Sequence, residues 1–147
     1  MSTMGPGELL FGFVRHWSRR AGSDAAMAEQ GRLVLVTEAV NSLVARGEPA
    51  TVNAVAWSLG IDQSGASRLI KGAVDAGYLT MMAGPTDRRR RALSVTAAGH
   101  IALGQAHAWQ EEVFVALTAG WSEQRRDDFE KAMADLIARS YEIGAPD

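Results

Sequence analysis

VNAVAWSLGIDQSGASRLIK, residues 52–71, divides at Gly60 into two short segments, each with an apolar face. Small or apolar residues fall at Val55, Ala56, Leu59, Ile61, Ala66 and Leu69. Two helices that cross steeply need a small side chain at their closest approach, which Ala56 supplies. They also need a residue tolerant of positive φ in the turn, which Gly60 supplies. Leu59 and Ile61 then cover the corner. Asp62 can accept a hydrogen bond from an orphan N–H at the start of the second helix and complement its dipole. The spacing places Ala66, Leu69, Ile70 and Val74 on a buried stripe. Gln63, Ser64, Ser67, Arg68 and Lys71 are left outward, a set rich in donors and free of carboxylates, which suits a helix entering a major groove.

Reading outward from this helix-turn-helix, Ala76-Gly77 ends the second helix and Tyr78 to Met82 has strand composition. Gly84-Pro85 starts a turn, Asp87-Arg88-Arg89-Arg90-Arg91 forms its tip, and Ala92-Leu93-Ser94-Val95 returns as a second strand. Thr96 is placed to cap the helix that follows. Four consecutive arginines are poor structural material at a hairpin tip. Beside a recognition helix they have a use, because a narrow minor groove holds Arg by its negative potential. The bland alternative is a solvated charge run.

Charge is distributed accordingly. The net charge is −2, but the segments differ. From Met1 to Leu59 five basic residues balance five acidic ones; from Gly60 to Thr96 six face three; from Ala97 to Asp147 four face nine. Positive charge is thus concentrated on the unit read as DNA-facing, and the acidic remainder would hold the rest of the chain off phosphate.

Ala56, Leu59-Gly60, Ser67-Arg68-Leu69, Ala76-Gly77-Tyr78-Leu79 and above all DRRRRALSVTAAG, residues 87–99, resemble the multiple antibiotic resistance regulator (MarR) family of winged-helix repressors. The resemblance implies a mainly α fold with a small β-hairpin, a winged helix-turn-helix with N- and C-terminal dimerisation helices. It implies one domain over residues 1–147, with about 31–96 as the DNA-binding part and about 8–22 and 97–143 as the helical dimerisation part. Arg89 matches the family's groove-entering arginine best. Gly65 and Gly72 depart from the pattern, since each costs a helix up to about 1 kcal/mol relative to Ala.

The flanking sequence agrees with that order of helices. Pro6 suits a first helical turn after a frayed start, and Leu9, Leu10, Phe13, Val14 and Trp17 form an apolar face up to Arg20. A second helix is drawn from about Asp24 or Glu29 to Arg46, ended by Gly47 and Pro49. Leu33-Val34-Leu35-Val36 could pass for a buried strand, but the continuation through Ala39, Val40, Leu43 and Val44 favours helix. Thr51 can cap the first helix of the reading motif, Ala97 to Ala119 forms a long helix, and Ser122 caps a last one through Phe129, Met133, Leu136, Ile137 and Tyr141. Terminal amphipathic helices without a core of their own are most economically buried against a second copy of the chain.

At 147 residues the chain can bury a substantial core without staples. It contains no cysteine, which excludes disulfides, thiolate zinc sites and the thiol switch used by some members of the resembled family. No apolar run approaches a membrane span and the N-terminus lacks a signal peptide's basic region, so a cytoplasmic protein without a membrane role is expected. There is no phosphate loop, serine elbow or paired-carboxylate motif, so no catalytic residues are assigned, no cofactor is expected and an enzyme is not.

The functional expectation is a homodimeric, sequence-specific regulator of transcription that binds double-stranded DNA at a pseudo-palindromic operator. Repression, and release by a small aromatic or anionic effector, are implied by the resemblance alone. Arg68 can bridge guanine O6 and N7 and Gln63 adenine N6 and N7, each worth about 1–3 kcal/mol of discrimination. The bland reading of both is a solvent-facing helix residue. Ser64, Ser67 and Lys71 suit phosphate, as does Arg91, while Asp87 can clamp an arginine. The tryptophans are most simply core and interface anchors. His16 with Trp17, and His107 with Trp109, could line the crevice where the resembled family binds effectors. His100 and His107 lie about 10 Å apart along one helix, too far to share a metal directly, and packed or surface histidines outweigh a zinc site built with Glu111. The alternative function, from a different class, is a winged-helix protein-interaction module that does not bind DNA by itself.

Overall fold

A computed structural model describes residues 3–20, 25–83 and 91–144. The described residues form α1 (Pro6–Arg20), α2 (Ala25–Ala45), α3 (Val52–Leu59), α4 (Gln63–Asp75), β1 (Leu79–Ala83), β2 (Arg91–Val95), α5 (Ala97–Leu117) and α6 (Glu123–Gly144). The chain divides into two compact units, residues 1–106 and 107–147.

The first unit is built around α2. Its Val36, Ala39, Val40 and Leu43 are buried with Val55 of α3, Ile70 and Ala73 of α4, Leu79 of β1 and Leu93 of β2. The Leu-Val-Leu-Val run is helix, because Val36, Val40 and Leu43 recur at the spacing of one helical face. Thr37 is fully buried there and donates its hydroxyl to the Leu33 carbonyl at 2.6 Å, so its polar atom is satisfied inside the helix. At the end of α2, Gly47 adopts φ 74°, and the Gly47 and Glu48 amides return to Val44 and Leu43.

β1 and β2 pair antiparallel with Leu79 opposite Val95 and Met81 opposite Leu93. The outer edge of β2 is also engaged, because the Leu93 amide donates to the Ala50 carbonyl at 2.9 Å. Of the turn between the strands, Gly84-Pro85 and Asp87 to Arg90 lie outside the described residues. The N-terminal helix begins at Pro6, the residue suited to its first turn. Its Leu9, Leu10, Phe11, Phe13 and Val14 are exposed.

The second unit contains the end of α5 and all of α6. Thr118 is buried, donates its hydroxyl to the Phe114 carbonyl at 2.8 Å and accepts from Arg126 Nε at 3.0 Å. Arg126 Nη2 also donates to the Thr118 carbonyl at 3.0 Å. Ser122 caps α6 by accepting from the Arg125 amide. Phe129 sits between Phe114 and Trp121, and the Arg125 guanidinium lies 3.9 Å from the Trp121 ring centre. Farther along α6, Leu136, Ile137, Tyr141 and Ile143 are exposed.

Gly99, in the first turn of α5, meets the chain closely: a Cβ there would stand 2.3 Å from the Tyr78 carbonyl oxygen and 2.7 Å from Val95 Cγ1. A Cβ on Gly104 of the same helix would meet nothing within 4 Å. Gly99→Ala is therefore expected to destabilise the protein by about 1–3 kcal/mol through overpacking. Gly104→Ala should instead stabilise it by up to about 1 kcal/mol. Urea unfolding of the two variants checks the contrast.

Candidate nucleic-acid interface

The recognition helix α4 is aimed by its turn. Gly60 takes φ 66°, and its amide and that of Ile61 close onto the Trp57 and Ala56 carbonyls. The chain then re-enters helix at Asp62, whose side chain accepts from the Gly65 amide at 2.9 Å. Thr51 caps α3 in the same way through the Ala54 amide. Gly65 has a local use, since a Cβ there would stand 2.6 Å from the capping Asp62 oxygen. Gly72 is less constrained: a Cβ would rest 3.4 Å from Leu33 Cδ2, an ordinary contact.

One face of α4 is buried through Ala66, Ile70 and Ala73. Leu69 is half-buried, and Val74, expected on this stripe, is exposed at 38%. The third turn takes Ala73 into the core, three residues after Ile70, and the larger Val74 falls beyond the edge. Gln63, Ser64, Ser67, Arg68 and Lys71 are all exposed. Among the described residues their side chains make no ion pair or hydrogen bond. Gln63 and Ser64 stand in the first turn, where the helix dipole is positive, and the carboxylate at that end, Asp62, is turned back onto the backbone.

Arg91 is exposed at the start of β2, opposite Ala83. By strand alternation it lies on the face that carries Leu93 and Val95, one pair beyond the core. Asp87, Arg88, Arg89 and Arg90 lie outside the described residues, so the structure adds nothing to their assignment.

Sequence reasoning takes Trp57 most simply as a core or interface anchor. It lies outside the core, 60% exposed, beside Asn53 on the face of α3 away from Val55 and Ala56. The usable signal is Asn53, one turn earlier, which marks that face as wet. Of the residues considered for an effector, exposed His16 and half-buried Trp17 meet edge to face, with ring centres 5.9 Å apart. His107 and Trp109 are exposed on α5. Among the described residues, no group of three His, Cys, Asp or Glu stands close enough to hold a metal ion. Among them, too, no helix is long and apolar enough to cross a membrane.

No family model matches the chain and no curated protein is similar to it. Solved structures are similar. One is MarR, 21% identical, with 97% of this chain and 95% of that chain covered at a TM-score of 0.70. A second is a mutant MepR from a multidrug-resistant S. aureus clinical isolate, 15% identical over 95% of this chain and 99% of that one, TM-score 0.68. A third is the S. aureus MepR–DNA complex, 16% identical, with 89% and 97% covered at 0.55. At these identities the likeness establishes the fold: the chain has the winged helix-turn-helix fold of the MarR and MepR regulators.

The local geometry separates residues that hold α4 from residues it displays. Asp62→Ala is expected to cost about 1 kcal/mol of stability, the worth of an N-cap. Arg68→Ala and Lys71→Ala should each change stability by less than about 0.5 kcal/mol, whereas Gly72→Ala should raise it by up to about 1 kcal/mol. Urea midpoints at constant slope would show this order, and a large loss from either basic variant would contradict it.

Proposed function

We propose that this chain is a MarR-family transcription regulator that reads double-stranded DNA with the exposed face of α4. One observation carries the reading: five donor-bearing side chains, none engaged among the described residues, stand together on the outer face of a helix capped and braced at its base. Arg68 and Gln63 read base edges; Ser64, Ser67, Lys71 and Arg91 contact phosphate. Asp87 and Arg88 to Arg90, outside the described residues, supply the wing contacts, with Arg89 entering the minor groove. That the similar S. aureus MepR has been solved with DNA adds to this reading.

The working species is a homodimer. Exposed Leu9, Leu10, Phe13 and Val14 of α1 and Leu136, Ile137 and Ile143 of α6 are apolar surface that a second copy would cover. Two α4 helices then meet an inverted repeat whose half-site centres lie about 10–10.5 bp apart or a multiple of it. The regulator acts as a repressor. A small aromatic or anionic effector meets His16 and Trp17, or His107 and Trp109, and releases it. No catalytic step is assigned to the chain, and its working place is the cytoplasm.

Selection of genomic fragments by the purified protein tests this directly. The expected outcome is enrichment of a pseudo-palindrome whose affinity falls about 10³–10⁵-fold between 50 and 200 mM salt, as six to ten phosphate contacts require. On that fragment, Arg68→Ala should relax preference inside the half-site by about 1–3 kcal/mol, and Arg89→Ala should weaken binding most where the flanks are A/T-rich. Equal, sequence-blind losses from both would overturn the division of labour, and no enrichment over random DNA would overturn the function.

A further inference from the structure

The segment that closes the C-terminal end of α4 meets the start of α5 at Thr96. Past Asp75 the helix closes with a left-handed Gly77, φ 84°, whose amide returns to the Val74 carbonyl at 3.0 Å while the Tyr78 amide returns to Ala73 at 2.9 Å. That closure satisfies carbonyls inside α4 and leaves those of Gly77 and Tyr78 facing outward. Thr96 takes both: its hydroxyl donates to the Gly77 carbonyl at 2.5 Å, and its amide donates to the Tyr78 carbonyl at 3.0 Å. The same hydroxyl oxygen accepts from the Gly99 amide at 3.0 Å, capping α5. The junction is tight, since only a glycine at position 99 leaves space for the Tyr78 carbonyl. On its other side, Gln30 of α2 donates to the Tyr78 hydroxyl at 3.1 Å.

We propose that the Thr96 hydroxyl is a positioning group for DNA reading: by donating to Gly77 while capping α5, it fixes the direction of α4 relative to the first turn of α5. This rests on the function proposed above. A rotation of α5 about its first turn is then transmitted to the recognition helix through the shared Thr96 hydroxyl as well as through the Thr96 amide and the packing of Gly99 against Tyr78. Thr96 touches no DNA in this scheme. It acts through α4, so its loss alters discrimination between sequences more than attraction to phosphate.

Two roles of the hydroxyl can be separated by substitution. Ser keeps both the acceptor for Gly99 and the donor for Gly77. Asp keeps the acceptor and suits the α5 N-terminus, but as a carboxylate it has no proton for the Gly77 carbonyl. Val removes both and keeps the shape. The measurement is the ratio of affinities for the selected operator and for random DNA, which cancels the uniform effect of an added negative charge. In parallel, amide exchange of Gly77 and Tyr78 is followed in the free full-length protein. Thr96→Asp is expected to lower the ratio roughly three- to tenfold, the scale of one net hydrogen bond, and to speed exchange at both amides, with Thr96→Ser near wild type. Thr96→Val should behave like Asp; if it does not fold, the Asp and Ser pair decides alone. An Asp variant that keeps both the ratio and the slow exchange would reduce Thr96 to a helix cap and overturn the proposal. If the wild type shows no preference for any DNA, the DNA-reading function itself fails and exchange decides: faster Gly77 and Tyr78 exchange in Asp but not in Ser retains the positioning role, and equal exchange in the two removes it.

Discussion

A helix with one face left exposed can be held only by its opposite face and its two ends, and α4 depends on that constraint. Its buried face is thin. Ala66 and Ala73 contribute a methyl each, and Ile70 is the one large side chain fully in the core. At roughly 0.8 kcal/mol per buried methyl-sized group, two alanines add little to anchoring. They do permit close approach, which brings α4 down onto α2 and α3, but small contacts define direction poorly. The ends must therefore supply what the face lacks. Asp62 and the Gly60 turn fix the start, and the Gly77 closure with its outward carbonyls fixes the finish.

Electrostatics follow the same division. An acidic chain can serve a polyanionic partner only if its carboxylates are kept away from the contact. At the start of α4 the N-cap carboxylate of Asp62 is turned onto the Gly65 amide, and none stands among the outward donors. The acidic residues concentrate instead on α6, which carries Glu123, Asp127, Asp128, Glu130, Asp135 and Glu142. Net charge is accordingly a poor guide to this chain, and its segregation a good one.

The devices that are legible in the sequence are those whose chemistry is local. Thr51, Asp62, Thr96 and Ser122 cap helices at the positions the pattern assigns, and Gly60 takes the positive φ that the turn needs. Each requires knowledge of only three or four neighbouring residues. The errors lie where packing decides. Size favours Val74 for the stripe, yet the angular position of Ala73 wins and a small residue fills the space near α2. Size likewise favours a core place for Trp57, although Asn53 one turn away marks its face as lying outside the core. The second hydrogen bond of Thr96, to Gly77 nineteen residues earlier, is not readable at all, because it depends on how two helix ends meet in space. For the set proposed to face DNA, the sequence pattern singles out Gln63, Ser64, Ser67, Arg68 and Lys71 and the structure adds that they are exposed; four of the wing residues, Asp87 and Arg88 to Arg90, lie outside the described residues.

Two helix ends in this chain pose the same problem and receive different answers. At the end of α5, Thr118 is bound by the charged Arg126 side chain, a strong donor to terminal carbonyls. At the end of α4 the donor is a neutral hydroxyl. A guanidinium would make the stronger bond, but for a helix proposed to lie against phosphate it would be contested, since its charge-assisted bonds form as readily with phosphate as with a carbonyl. A hydroxyl between two backbone groups carries no net charge for the phosphates to attract. Under the proposed function the weaker bond is thus the one that keeps its partners beside DNA, and a brace for the bound state is better made from it.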